Sequence, residues 1–217
     1  MSVLYPFPVL NTQPLMVHYQ LDFTVPSPGE SVSFVEFSPN GRFIAIGDRV
    51  SPALCMLDKL TGFHPTAFAA TLAKPTALVW ETSQTFYVGL SDGRFAHYRM
   101  DLHGRRMVRG TVNSCFYGQF PITAISLNAE SNTLVLSVGP EVFMFRRIRA
   151  TSMSFSLTNQ TGYLNYITRG EFRFITKISN PFNFEREPGS PAPPFPRSIC
   201  FAPDNVLVIT FCRRNIV

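Results

Sequence analysis

Residues 35–47 give the clearest indication of the fold and read Val35-Glu36-Phe37-Ser38-Pro39-Asn40-Gly41-Arg42-Phe43-Ile44-Ala45-Ile46-Gly47. A short apolar strand ends in a large aromatic residue, a polar turn follows, and a second apolar strand begins directly after the turn. Ser, Pro, Asn and Gly favour tight turns, each for its own backbone reason. The stretch therefore predicts a strand–turn–strand unit.

The same pattern recurs three more times along the chain. Its large apolar residue is Phe37 in the first copy and Trp80, Leu127 and Phe201 in the others. The first two intervals match the roughly 40–45 residues of a four-stranded propeller blade, whereas the third exceeds it by about 30. The repeats predict about three full β-propeller blades and part of a fourth, starting near residues 32, 75, 121 and 197.

The composition favours an all-β globular fold. Of the 217 residues, 45% are hydrophobic and 15% are charged, against about 25% charged in typical domains, which excludes intrinsic disorder. No stretch keeps an apolar i, i+3, i+4, i+7 stripe over three turns, so little helix is expected.

These repeats resemble those of the WD40 family, in which a strand leads into Phe-Ser-Pro-Asp-Gly and a later strand ends in Trp-Asp. Phe37–Gly41 matches the first motif closely and Phe201–Asn205 matches it in part, while Leu57-Asp58 and Met100-Asp101 stand where Trp-Asp is expected. The resemblance implies a WD40-type propeller that serves as a non-enzymatic protein-interaction scaffold. No Trp-Asp pair and no Gly-His pair is present, so the buried Asp–His–Ser/Thr–Trp network of that family cannot be carried over.

The expected organisation is an N-terminal segment, residues 1–30, and a partial propeller, residues 31–217. Leu15–Phe23 is a possible closing strand for the last blade. A long loop is predicted at residues 151–195, with a bridging strand over Glu171–Ile178. Because a closed ring has typically four to eight blades, the chain is interpreted as a fragment of a longer propeller. The alternative is a truncated product without independent function.

Arginine accounts for 16 of the 19 basic residues, and the net charge is +5. Arg suits bidentate contact with carboxylate and phosphate groups. Two clusters lie at comparable positions, at or after a third strand, and could form one basic rim that binds a protein partner; its candidate residues are Arg105, Arg106, Arg109, Arg146, Arg147 and Arg149. Nucleic-acid binding through the same clusters is the alternative function. A solvated, charge-balanced surface is the simplest interpretation of both clusters.

The remaining residues predict no catalytic site. The four cysteines are too far apart for a metal knuckle, the histidines are isolated, and no nucleotide-binding or hydrolase motif occurs. We therefore expect no enzyme activity, metal, cofactor or small-molecule substrate. With no signal peptide and no apolar run of membrane length, an intracellular protein, in the cytoplasm or nucleus, is expected.

Overall fold

The computed structural model describes residues 31–101, 105–114, 120–147, 172–178, 195–202 and 204–212. Their first two sheets contain the strands β1 (Val32–Phe37), β2 (Phe43–Asp48), β3 (Ala53–Asp58), β4 (His64–Ala70), β5 (Pro75–Trp80), β6 (Thr85–Leu90), β7 (Arg94–Asp101) and β8 (Arg106–Ser114). Two more sheets contain β9 (Ile122–Asn128), β10 (Thr133–Val138), β11 (Glu141–Arg147), β12 (Phe172–Ile178), β13 (Phe195–Phe201) and β14 (Leu207–Cys212). Within the described residues, a short 3-10 turn at Lys59–Thr61 is the only helical element.

The strands form four antiparallel sheets in chain order. The first is β1–β4, the second β5–β8, the third β9–β12 and the fourth, two-stranded, β13–β14. The predicted bridging strand is confirmed, since Phe172–Ile178 pairs with β11 as the last strand of the third sheet. The predictions for residues 1–30, and for most of the loop at 151–195, lie outside the described residues.

Strand register confirms that the large apolar residues of the repeats are equivalent. Phe37 lies opposite Ile44 on β2, the second residue of that strand. Trp80 and Leu127 likewise lie opposite the second residues of β6 and β10. Phe201 occupies the corresponding turn end of β13, opposite Leu207. One supersecondary unit is therefore repeated four times.

Consecutive sheets pack face to face through three apolar clusters. Phe43 and Met56 of the first sheet meet Phe86 and Tyr98 of the second. The next two interfaces are built in the same way: Tyr87 and Phe95 meet Leu136, Phe143 and Phe145, and Val135 and Val142 meet Ile199, Phe201 and Ile209. The inner strands β1, β5, β9 and β13 contact one another in turn. This radial row of twisted sheets is the arrangement of a partial β-propeller.

The equivalent apolar residues also define the direction of packing. Trp80 packs against the first sheet, Leu127 against the second and Phe201 against the third. Phe37 points the same way from the first sheet, yet it is 59% exposed, because no sheet among the described residues precedes it. Its neighbours Ile44 and Leu57 are buried on that face, and the half-buried Phe63 packs against them.

Candidate functional site

The tight turns between the first and second strands of each sheet lie at one end of the fold, and this end contains the candidate site. In the first sheet, the buried Ser38 hydroxyl accepts a hydrogen bond from the Phe43 backbone N–H (2.9 Å) and donates to Asn40 Oδ1 (2.8 Å). Gly41 follows at φ 67°, a left-handed conformation that costs glycine little. In the third and fourth sheets Asn132 and Asn205 adopt the left-handed conformation at the equivalent turn, which Asn tolerates better than most residues.

At the same end, Asp58 closes the turn after β3. Its Oδ1 accepts a hydrogen bond from the Leu60 backbone N–H (3.0 Å) and so caps the turn. Arg42 donates to both carboxylate oxygens, at 3.0 and 2.8 Å. The hydrogen bonds and charge of Arg42 hold the pKa of Asp58 below its ordinary value. The pair fastens the start of β2 to the end of β3.

One backbone hydrogen bond recurs at this end in the first three sheets and shows which of their positions are equivalent. The backbone carbonyl of the residue just before the second strand accepts a hydrogen bond from a backbone N–H near the end of the third strand. The three acceptor–donor pairs are Arg42 and Lys59, Gln84 and Met100, and Asn132 and Arg147. Asp58 is therefore equivalent to Arg99 and to Arg146, as the strand pairings also show. The expectation that Met100-Asp101 stands at the Trp-Asp position was wrong, because Asp101 lies two residues further along.

A polar cluster bridges the second and third sheets, and the sequence analysis did not find it. Glu81, directly after β5, forms an ion pair with Arg147 at the end of β11. Arg147 Nη2 also donates to the hydroxyl of the fully buried Tyr87 (2.9 Å). The hydroxyl of Thr85 donates to the second oxygen of Glu81 (3.1 Å). The residues that make up this cluster differ from the Asp–His–Ser/Thr–Trp network of the WD40 family.

His97 belongs to the same cluster. Its Nε2 lies 3.6 Å from Glu81 Oε2, and its ring centroid lies 5.0 Å from that of Tyr87. The Arg147 guanidinium also lies 5.9 Å from the centre of the Phe172 ring. The cluster is held between two sheets rather than opened to solvent, so it fastens blades together.

The structure separates the six candidate arginines. Arg105 and Arg106 lie in the β7–β8 hairpin, both exposed, and Arg106 donates to Asp101 (3.0 Å). Arg146 is exposed at the end of β11, and Arg109 is exposed on β8 beside Tyr98. Burial raises the pKa of the Tyr98 hydroxyl, and neighbouring Arg109 partly offsets this rise.

Arg147 differs from the others because its guanidinium is occupied by Glu81 and Tyr87 within the chain. Arg149 lies outside the described residues. Arg105, Arg106 and Arg146 thus lie at one end of adjacent sheets, because the β7–β8 hairpin of the second sheet and the end of β11 in the third sheet are both at that end.

A groove of about 240 Å³ lies at this end between the first and second sheets. Arg42, Asp58 and the turn at Leu60 form one wall, and Met100 with the start of the β7–β8 hairpin forms the other. Its volume is below the roughly 300–1,000 Å³ of pockets that hold small molecules and cofactors.

Among the described residues, no three His, Cys, Asp or Glu side chains converge in a way that could hold a metal ion. Burial raises the pKa of the Cys55 thiol to about 11, whereas Cys200 and Cys212 are exposed. Cys115 lies outside the described residues. Nor does the described part of the chain contain a helix long and apolar enough to cross a membrane.

The fold resembles that of solved β-propellers. The Cps50 (Swd1) β-propeller domain of Myceliophteria thermophila superposes with a TM-score of 0.56 at 11% identity, over 85% of this chain and 50% of that chain. The periplasmic gluconolactonase PpgL of Pseudomonas aeruginosa superposes with a TM-score of 0.56 at 16% identity, over 82% of this chain and 46% of that one. The chain thus spans about half the length of these propellers.

No family model matches the sequence, and no curated protein matches it. The likeness at these identities shows the fold alone. Because one of the two neighbours is named as an enzyme, the propeller fold does not by itself decide between binding and catalysis.

Proposed function

We propose that the chain is a protein-interaction scaffold built on a WD40-like β-propeller, and that it is part of a longer propeller. The observation that carries this proposal is the set of exposed arginines at one end of two adjacent, packed sheets, with Arg105 in the β7–β8 turn, Arg106 at the start of β8 and Arg146 near the end of β11. Because the sheets hold the backbone beneath these arginines in place, binding of a partner there would order side chains but no loop, which limits the entropic cost of association. The half-length coverage of the solved propellers supports the second part of the proposal.

The role is proposed to be non-enzymatic. Two acids of this end that are largely shielded from solvent, Asp58 and Glu81, are each held by an arginine of the chain itself. Carboxylates fixed in this way stabilise turns and blade contacts, and they are poorly placed to exchange a proton with a substrate.

Affinity capture tests the proposal. The full chain and its Arg105→Glu/Arg106→Glu/Arg146→Glu variant would be used as bait, each before and after nuclease treatment of the lysate. The scaffold role predicts a defined set of proteins that survives nuclease and is lost with the triple variant. Capture of no protein above background, or capture equal for both baits, would contradict it.

Nucleic-acid binding is the second candidate, favoured by the same exposed arginines and the net charge of +5. Contacts with phosphates make such binding fall steeply as salt rises. Anisotropy of labelled RNA and DNA oligonucleotides at about 50 and 200 mM salt measures this directly. Binding at low salt that disappears at high salt would favour this function, and no binding at low salt would remove it.

A further inference from the structure

The groove between the first and second sheets is lined by charged and polar side chains together with the apolar residues Phe43, Leu60, Ala67 and Met100. Phe43 and Met100 are buried in its floor, at 2% and 5% exposure. Leu60, on the turn after β3, is 74% exposed at its edge. An apolar side chain that entered the groove would remove Leu60 from water, which is favourable in proportion to the area buried.

The charges around the groove are balanced at all positions but one. Asp58 is held by Arg42 through two hydrogen bonds, and Asp101 is held by Arg106. Arg105 also lines the groove, and within the described part of the chain no hydrogen-bond or ion-pair partner of its guanidinium is found. The groove therefore offers one uncommitted positive charge next to apolar surface.

The backbone fixes where this charge stands. Arg105 adopts a left-handed conformation, φ 46°, which is uncommon for a residue other than glycine. Its neighbour Arg106 pairs with Asp101 across the hairpin. The Asp101–Arg106 pair therefore restrains the backbone of the β7–β8 hairpin next to Arg105.

We propose that this groove binds an acidic peptide segment of a partner protein, with a carboxylate on Arg105 and an apolar side chain against Leu60. The proposal rests on the scaffold role and names the site and the chemistry of its partner. The groove, of about 240 Å³, suits one or two side chains of a peptide. Arginine pairs with carboxylates through its planar, multiply donating guanidinium.

The groove is less suited to nucleic acid. Bases bind single-strand sites by stacking on open aromatic faces, and the one aromatic ring in the lining, Phe43, is buried. In addition, the Arg42 guanidinium lies 4.7 Å from the centre of that ring. A nucleotide phosphate could therefore pair with Arg105, but the base would find no exposed aromatic ring in the groove on which to stack.

Fluorescence anisotropy with the purified chain of 217 residues tests the proposal. The probe is a fluorescein-labelled peptide in which one leucine is flanked on each side by three acidic residues, and its Asn/Gln counterpart is the neutral control. Arg105→Glu and Leu60→Ala alter the groove. Arg49→Glu is the matched charge control, because Arg49 is exposed just after β2, at the opposite end of the first sheet.

The expected result is binding of the acidic peptide, weakened about tenfold or more by Arg105→Glu and several-fold by Leu60→Ala. The neutral peptide should bind weakly, and Arg49→Glu should bind as the parent does. Equal loss in Arg105→Glu and Arg49→Glu would show non-specific attraction and overturn the proposal. Preferential binding of a labelled single-stranded oligonucleotide would also overturn it.

The two levels of the proposal can fail separately. If Arg105→Glu leaves peptide binding unchanged while affinity capture still returns proteins, the groove assignment is wrong and the scaffold role stands. If neither peptide nor protein is bound by a chain whose circular dichroism shows folded β-structure, both are wrong.

Discussion

The guanidinium of Arg147, at the end of β11, forms an ion pair with the carboxylate of Glu81, which follows β5 in the neighbouring sheet. The two residues are 66 positions apart, and both side chains are largely shielded from solvent. The pair fastens the second blade to the third at the same end of the fold at which the exposed arginines stand. One arginine cluster, Arg146 and Arg147, thus serves two purposes, since Arg147 turns inward and Arg146 outward.

Replacement of Arg147 by alanine should destabilise the chain by about 2 kcal/mol, because the Glu81 charge is left partly buried without its partner. Urea denaturation followed by circular dichroism measures the change. Arg146→Ala is the matched control, because that side chain is exposed and its loss should change the free energy of unfolding by less than about 0.5 kcal/mol. Equal effects of the two substitutions would argue against an inward role for Arg147.

Gly89→Ala should destabilise the chain by about 1–3 kcal/mol through overpacking. A Cβ at residue 89 would lie 2.6 Å from Cγ2 and 2.9 Å from Cβ of Ile122, and Ile122 is fully buried in the interface between the second and third sheets. Gly41→Ala is the comparison, since a Cβ there meets nothing within 4 Å. Its cost, about 1–2 kcal/mol, should come from the left-handed backbone alone.

These two glycine variants differ in a second, measurable way. In Gly89→Ala, shortening Ile122 to alanine removes the atom that the new Cβ would strike first, so the double variant should be less destabilised than the sum of its parts. The same Ile122→Ala change should add independently to Gly41→Ala. Additivity in both backgrounds would contradict the close approach at Gly89.

Lowering the pH should reduce the contribution of the Arg42–Asp58 pair to the free energy of unfolding. The pKa of Asp58 is lower in the folded chain than in the unfolded chain, where about 3.9 is expected. The stabilisation is therefore complete above about pH 4 and is lost as the pH falls through the lower, folded-state pKa. Arg42→Met removes the main cause of the shift.

Urea midpoints between about pH 2 and 6 measure this effect. The parent should lose stability more steeply than Arg42→Met as the pH falls below about 4. Parallel curves for the two proteins would show that Arg42 does not stabilise the Asp58 carboxylate.

Loss of the Ser38 hydroxyl should cost about 1–2 kcal/mol, because the buried Phe43 N–H would lose its side-chain acceptor. Asn40→Ala should lower the free energy of unfolding by less. The Asn40 side chain is exposed to solvent, and water can replace it as the acceptor for the Ser38 hydroxyl and the Arg42 N–H. Thermal unfolding of both variants ranks them. A larger effect for Asn40→Ala would contradict the assignment of Ser38 as the centre of the turn.

The repeated units could be predicted from the sequence because each is local. The turn at residues 38–41 and the alternation of apolar residues on either side lie within a dozen positions of one another. The same local pattern identified Trp80 and Leu127 as equivalents of Phe37, and strand register confirmed this. The bridging strand β12 was also predicted, because the interval between the third and fourth repeats is too long for one blade.

The polar contacts between blades could not be predicted, because the residues that meet are far apart in the chain. No residue near Glu81 in the sequence indicates that Arg147 will contact it. The adjacent residues Arg146 and Arg147 cannot be distinguished from the sequence, because their burial depends on which face of the sheet each occupies. Asp101 was misplaced for a related reason. The first turn and the turn between the second and third strands are each one residue shorter in the second sheet than in the first, so the equivalent position comes two residues earlier, and the strand pairing reveals it.

A double-mutant cycle between Glu81 and Arg147 tests the face-to-face packing of neighbouring blades most directly. The free energy of unfolding would be measured for the parent, Glu81→Gln, Arg147→Met and the double variant. We expect a coupling free energy of at least about 1 kcal/mol, because the two side chains are in contact. Additive effects, within about 0.3–0.5 kcal/mol, would mean that the two side chains do not meet, and they would contradict the packing of the second sheet against the third.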